Sequence, residues 1–166
     1  MVQLYIRQKI FSASDKYKIY DEYQRVVFQC KSKILSWGSK IKMYDASGEN
    51  LIYYIKEKIR FSFYRKYYIY DNVGNEICCI KQDALIKPKL VIKMSDGSDE
   101  FDIKGNWLAY EFSILNDKLQ IGSVRKKVLS WADTYNLDIN DSFNPALFAA
   151  FVIVVDTCYH NNNNNN

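Results

Sequence analysis

Apolar and basic side chains alternate along this chain in a five-residue pattern that keeps returning: apolar, basic, variable, basic, apolar. The copies read Ile6-Arg7-Gln8-Lys9-Ile10, Cys30-Lys31-Ser32-Lys33-Ile34, Ile55-Lys56-Glu57-Lys58-Ile59, the weaker Ile80-Lys81-Gln82-Asp83-Ala84, and Val124-Arg125-Lys126-Lys127-Val128. The first four begin at residues 6, 30, 55 and 80, so they lie 24 or 25 positions apart, and the interval from Ile80 to Val124 leaves room for one more unit. Residues 100–115 fill it with a degenerate version that keeps Lys104. A fixed period of this size marks repeated supersecondary units.

Each copy is followed by a second alternating run: Tyr17-Lys18-Ile19-Tyr20, Ile41-Lys42-Met43-Tyr44, Tyr67-Tyr68-Ile69-Tyr70, Leu90-Val91-Ile92-Lys93, Glu111-Phe112-Ser113-Ile114 and Tyr135-Asn136-Leu137-Asp138-Ile139. Several of these runs meet turn chemistry, as in Asp45-Ala46-Ser47-Gly48, Asp71-Asn72-Val73-Gly74 and Ser95-Asp96-Gly97. Asp and Gly there favour a type I turn or a positive φ. Period-two alternation bounded by turns is the hairpin signal, so six units predict six hairpins and twelve strands.

The pattern changes at the end of the chain. Asn144 suits a helix cap and Pro145 the first helical position, where its missing N–H is no loss. Residues 146–155 carry no polar side chain, so a helix over about 145–159 is apolar on every face and has to be buried all round. It is too short for a bilayer, which needs roughly 20 apolar residues. Twelve antiparallel strands and one such helix combine most economically as a closed barrel without edges, ahead of a sandwich with the helix clamped between its sheets. The helix then fills a lumen too wide for side chains alone. The expected fold is therefore mainly β: a single domain over residues 1–160, six hairpins closed around a central C-terminal helix, with residues 161–166, all asparagine, as a disordered tail.

Composition adds less. Fourteen tyrosines against two prolines and six glycines favour strands. A net charge of +4 with pI near 8.7 permits an anionic partner without requiring one. Cys30, Cys78, Cys79 and Cys158 lack the spacing of a zinc site and are expected to be reduced, mostly buried thiols. With no secretory leader pattern, a cytoplasmic location is expected, with contact to a membrane only at its surface. His160, the only histidine, adjoins the asparagine tail, where a catalytic base finds no support. Phosphate-binding glycine motifs are missing from the sequence. No catalytic residue, cofactor or metal is expected, and the chain is read as a non-enzymatic protein.

Several stretches carry a resemblance. Tyr5-Ile6-Arg7-Gln8-Lys9-Ile10-Phe11-Ser12, Asp15-Lys16-Tyr17-Lys18-Ile19-Tyr20-Asp21, Leu35-Ser36-Trp37-Gly38, Leu129-Ser130-Trp131-Ala132-Asp133 and the apolar C-terminal helix resemble the LURP-one-related family, including its bacterial YxjI-type members. That resemblance implies kinship with the tubby C-terminal domain and the phospholipid scramblases, which are twelve-stranded barrels around a hydrophobic helix. It implies no reaction. The third loop, Phe61-Ser62-Phe63-Tyr64-Arg65-Lys66, departs from the form of the first. With neither a cysteine-rich acylation segment nor a transmembrane end, scrambling is not expected.

Candidate binding residues follow from strand alternation. If the apolar members of each copy face inward, then Arg7, Lys9, Lys31, Lys33, Lys56, Lys58, Lys81, Arg125 and Lys127 face outward and recur around the barrel as a belt. The loops inside the hairpins gather Lys16, Trp37, Lys40, Tyr64, Arg65, Lys66, Lys87, Lys89 and Trp131 at one end, where aromatic rings beside basic groups suit a membrane interface or a nucleic-acid strand equally well. The leading expectation is a barrel that binds anionic phospholipid headgroups. One alternative is a structural or protein-interaction module whose lysines are neutralised by acids such as Asp21, Glu22 and Glu111. Another is an enzyme at a barrel mouth. Nucleic acid is the least expected partner, because +4 spread over a domain falls short of the concentrated basic stripe such proteins carry.

Overall fold

The structure is a computed structural model that describes residues 1–9, 15–35, 38–58, 64–84, 89–106, 111–129 and 132–159. Twelve strands precede one helix: β1 (Val2–Gln8), β2 (Asp15–Tyr20), β3 (Val26–Leu35), β4 (Gly38–Asp45), β5 (Leu51–Glu57), β6 (Lys66–Tyr70), β7 (Glu76–Ala84), β8 (Lys89–Met94), β9 (Glu100–Asn106), β10 (Glu111–Asn116), β11 (Leu119–Leu129), β12 (Ala132–Ile139) and α1 (Pro145–Tyr159). Each five-residue motif lies in an odd-numbered strand and each second run in the even-numbered strand after it. The degenerate unit supplies β9 and β10.

Every strand pairs antiparallel with its neighbours in sequence, and β1 closes on β12 with Val2 opposite Ile139 and Ile6 opposite Tyr135. The expected closed barrel is the observed one. Alternation sends Leu4, Ile6, Ile19, Ile41, Met43, Ile55, Ile69, Ile80, Ile92, Ile103, Ile114, Val124 and Leu137 into the lumen, where none is more than 3% exposed. The wall turns its polar side chains outward. That is the reverse of an outer-membrane barrel, whose exterior is apolar.

Helix α1 lies within this wall, with residues 146–158 all buried. Asn144 caps it as expected: its Oδ1 accepts from the backbone N–H of Ala146 at 3.0 Å and of Leu147 at 3.3 Å. Phe148 packs edge-on against Phe101 of β9, ring centroids 5.2 Å apart. Opposite charges flank the turns at this end of the barrel, where Asp21 pairs with Arg25 and the N-terminal ammonium with Asp141, each within 2.8 Å. The degenerate unit has its own logic. At Gly105, a Cβ would stand 2.2 Å from Cδ1 of Phe112 and 2.6 Å from the carbonyl oxygen of Glu111, so the ring of Phe112 occupies the place that a side chain holds in other units.

Candidate functional site

The variable position at the centre of each motif shares the parity of its apolar neighbours and therefore faces the lumen. Ser32 and Gln82 are buried there, Gln8 and Glu57 half-buried, and the Lys126 side chain is only 4% exposed. Opposite three of them in register stand tyrosines: Tyr17 faces Gln8, Tyr67 faces Glu57 and Tyr135 faces Lys126. The lumen is thus apolar for most of its length and polar in its last layer, around the final turn of α1.

Asp156 reaches into that layer with no exposed surface. Its two carboxylate oxygens accept hydrogen bonds from the hydroxyls of Tyr17 and Tyr135, one oxygen each. Burial, reinforced by the adjacent carboxylate, holds the Tyr17 hydroxyl pKa well above its ordinary value, so the proton stays on the phenol that donates it. Lys126 lies over the Tyr135 ring at 5.3 Å and pairs with Asp133 at 2.5 Å. Arg65 donates from Nη1 to the carbonyl of Thr157 at 2.9 Å, while its Nε lies 3.7 Å from Glu57. The last turn of α1 holds no basic residue of its own. The wall supplies instead the positive charge that a helix C-terminus favours.

This polar layer was not anticipated from the sequence, and Arg65 belongs to it. Arg65, expected among the loop residues gathered at one end, is half-buried, its guanidinium meeting a carbonyl of the helix end that has no intrahelical partner. The layer's thiol is unreactive in kind: burial pushes Cys158 up to about 12, and a nucleophilic cysteine has to be a thiolate. Among the described residues, no cluster of three potential metal ligands occurs.

The outer wall holds the other candidates. Arg7, Lys9, Lys31, Lys56, Lys58, Lys81, Arg125 and Lys127 are exposed, and Lys33 stands opposite Lys40 in the ladder. Lys16 lies in β2. Trp37, Lys87, Trp131, His160 and the asparagine tail lie outside the described residues.

The belt is divided into two sectors. Across β8 to β11 four cations meet acids: Lys89 lies 3.4 Å from Asp83 and 3.3 Å from Asp102, Lys93 2.9 Å from Glu100, Lys104 2.9 Å from Asp102, and Arg125 3.9 Å from Glu111, while Lys127 has no carboxylate partner among the described residues. Across β3 to β7 cations instead stand opposite one another, Lys31 with Lys42, Lys40 with Lys56, and Lys66 with Lys81. None of these six has a carboxylate partner among the described residues. Tyrosine rings separate them: Lys31 lies over Tyr44 at 4.9 Å, Lys66 over Tyr68 at 5.2 Å and Lys58 over the same ring at 5.7 Å. Tyr70 sits 6.3 Å from both Tyr54 and Tyr68. Like charges directly across a ladder cost stability, and cation–π contact offsets only part of that.

No helix of the described residues is long and apolar enough to cross a membrane. Comparison with known proteins places this geometry. The model of the LURP-one-related family matches residues 2–156. The chain is 31% identical to the uncharacterised protein YxjI of Bacillus subtilis (strain 168) over 163 residues, covering 97% of this chain and 96% of that protein. Its fold is similar to the X-ray structure of an Arabidopsis thaliana protein, with a TM-score of 0.66 at 14% identity, covering 94% of this chain and 90% of the other. The chain therefore belongs to the LURP-one-related family.

Proposed function

We propose that this protein is a non-enzymatic barrel that binds anionic membrane surfaces through the wall of β3 to β7. The observation that supports this most is the run of facing lysines across β3 to β7 without carboxylate partners among the described residues, whereas most cations of β8 to β11 meet acids. Lysines on strands serve solubility equally well when interspersed with acids, so lysines facing one another directly across three ladders are the feature that solubility leaves unexplained. Each basic residue near an anionic membrane contributes about 1 kcal/mol. A cylinder meets a plane along a few strands only, so three or four lysines act together, for an affinity of about 1 mM from charge alone. Binding of this kind is peripheral, reversible and sensitive to salt.

Vesicle flotation tests it. At low salt the protein is expected to float with vesicles containing phosphatidylserine and to stay behind with neutral ones. Lys31→Gln, Lys42→Gln and Lys56→Gln together should abolish the difference, whereas Lys93→Gln with Arg125→Gln, from the paired sector, should preserve it. Equal behaviour with both vesicle types refutes the proposal and leaves a protein-interaction module as the better account. Tight binding of a single-stranded oligonucleotide at physiological salt would point to nucleic acid instead.

A further inference from the structure

Within the bare sector the wall rises into a groove. The turn between β6 and β7 stands beside β4 and β5 and borders a shallow, open concavity of about 590 Å³ lined by Lys42, Leu51, Tyr54, Lys56, Tyr70 and Val73. Tyr54 and Tyr70 are opposite one another in register and form its floor. Lys42 faces Tyr54 across the β4–β5 ladder, and Lys56 follows two residues further along β5.

Polarity changes along the groove. Lys42 and Lys56 are exposed at one end, without a carboxylate partner among the described residues. Asp71 borders the groove, yet its carboxylate is committed to its own turn, accepting from Val73 N at 3.0 Å, Asn75 N at 2.8 Å and Asn75 Nδ2 at 2.9 Å. It does not reach the lysines to neutralise them. The other end is apolar, with Leu51 and the turn tip Val73, which is 77% exposed. The corresponding tips of the β4–β5 and β8–β9 turns carry Ser47 and Asp96, and that of the β2–β3 turn carries Tyr23. An apolar side chain at a turn tip buries little against its own chain, and here it extends the floor laid by the tyrosines.

We infer that this groove seats an anionic amphiphile, its acidic head at Lys42 and Lys56 and its apolar part along Tyr70, Leu51 and Val73. The inference rests on the anionic-surface role of the wall for its lysines and adds to it a ligand with two unlike ends. The same chemistry is offered by a lipid in a bilayer and by a free single-chain amphiphile.

The probe is dodecyl phosphate below its micellar concentration, followed through the amide resonances of the full chain. Saturable shifts are expected at Leu51, Tyr54, Tyr70 and Val73. Inorganic phosphate, which lacks the tail, and dodecyl maltoside, which lacks the charge, should each bind at least about tenfold more weakly, since either end alone forfeits the other's contribution. Val73→Ser changes no charge and sits at an exposed tip, so it leaves the fold intact; it should weaken dodecyl phosphate severalfold. Equal binding of dodecyl maltoside, shifts scattered away from the groove, or an unaffected Val73→Ser variant overturns the inference. The two proposals separate cleanly. Charge-dependent flotation without groove shifts keeps the wall and removes the groove. Groove shifts without charge-dependent flotation remove the bilayer role and leave a site for a free amphiphile.

Discussion

The hydroxyl of Tyr17 donates to the carboxylate of Asp156, a residue 139 positions later in the chain. Through this contact the first hairpin of the wall holds the last turn of the helix it encloses. A helix apolar on all sides has no amphipathic preference for one rotation about its axis. Only one rotation and one depth let Asp156 meet Tyr17 and Tyr135 together.

Removing a donor therefore leaves a buried carboxylate short of a partner. Tyr17→Phe and Tyr135→Phe are each expected to cost about 1.5–3 kcal/mol, the range for hydrogen bonds to charged groups. The double variant should exceed either single one, and urea unfolding of all three measures it. Losses below about 0.5 kcal/mol, the scale of indifferent surface changes, would show that the contact holds nothing.

Ala150→Asp places a charge in mid-helix, where Ala150 has no exposed surface. An unpaired buried ion costs several kcal/mol against a total stability of about 5–15. The variant is expected in the insoluble fraction, and a soluble, cooperatively melting product would contradict the buried position of the helix.

Gly105→Ala should destabilise by about 1–3 kcal/mol, the usual cost of overpacking, since its Cβ would overlap both the Phe112 ring and the Glu111 backbone. Phe112→Leu should recover part of that loss in a double-mutant cycle. Independent, additive effects would indicate that the ring is not what the glycine accommodates.

Stability should form a plateau in pH with two edges. Hydrogen bonds from Ser47 and Asn50 depress the Asp45 carboxyl, those of Ser98 depress Asp96, and the N-terminal ammonium depresses Asp141. For a depressed carboxyl the stabilisation is present above the unfolded value near pH 4 and disappears as pH falls through the lower folded value. At the other edge, burial raises the Cys78 and Cys158 thiols to about 12. Their contribution is complete below the unfolded value of about 8.5 and is lost as pH rises toward the folded one. Melting temperatures across pH 2–11 should be flat from about pH 5 to 8 and decline on both sides. Cys78→Ala with Cys158→Ala should soften the alkaline decline.

Exposure separates the thiols as well. Cys79 is half-buried on the outer face while Cys30, Cys78 and Cys158 are buried. A small thiol reagent is expected to label one cysteine in the native protein and four after unfolding. Two fast-reacting thiols in the native state would mean that the wall opens.

The wall was legible in the sequence because its cause is local: alternation within a strand and Asp or Gly at a turn are visible over a few residues. The helix was legible because ten consecutive apolar side chains admit little else. The polar layer was hidden because its partners are distant in the chain. A trace was present, since the motif centres Gln8, Ser32, Glu57, Gln82 and Lys126 share parity with buried neighbours, and Tyr17, Tyr67 and Tyr135 recur at one position of their units. A carboxylate ending an apolar helix was a further sign that it needed partners. The division of the belt was hidden for another reason. Asp102, Glu100 and Glu111, which neutralise one side, all fall in the degenerate unit, where the repeat offers no template to align them. The placements of Trp37 and Trp131 at a rim fall outside the described residues.

The order of the parts along the chain has a bearing on biogenesis. During synthesis from the amino end, all six hairpins leave the ribosome before the segment that fills their lumen, and β1 waits for β12 to close the ring. Contacts this remote in sequence form slowly, so the nascent wall spends that interval as an unfilled apolar trough, open to capture by chaperones and vulnerable to sticking to its neighbours.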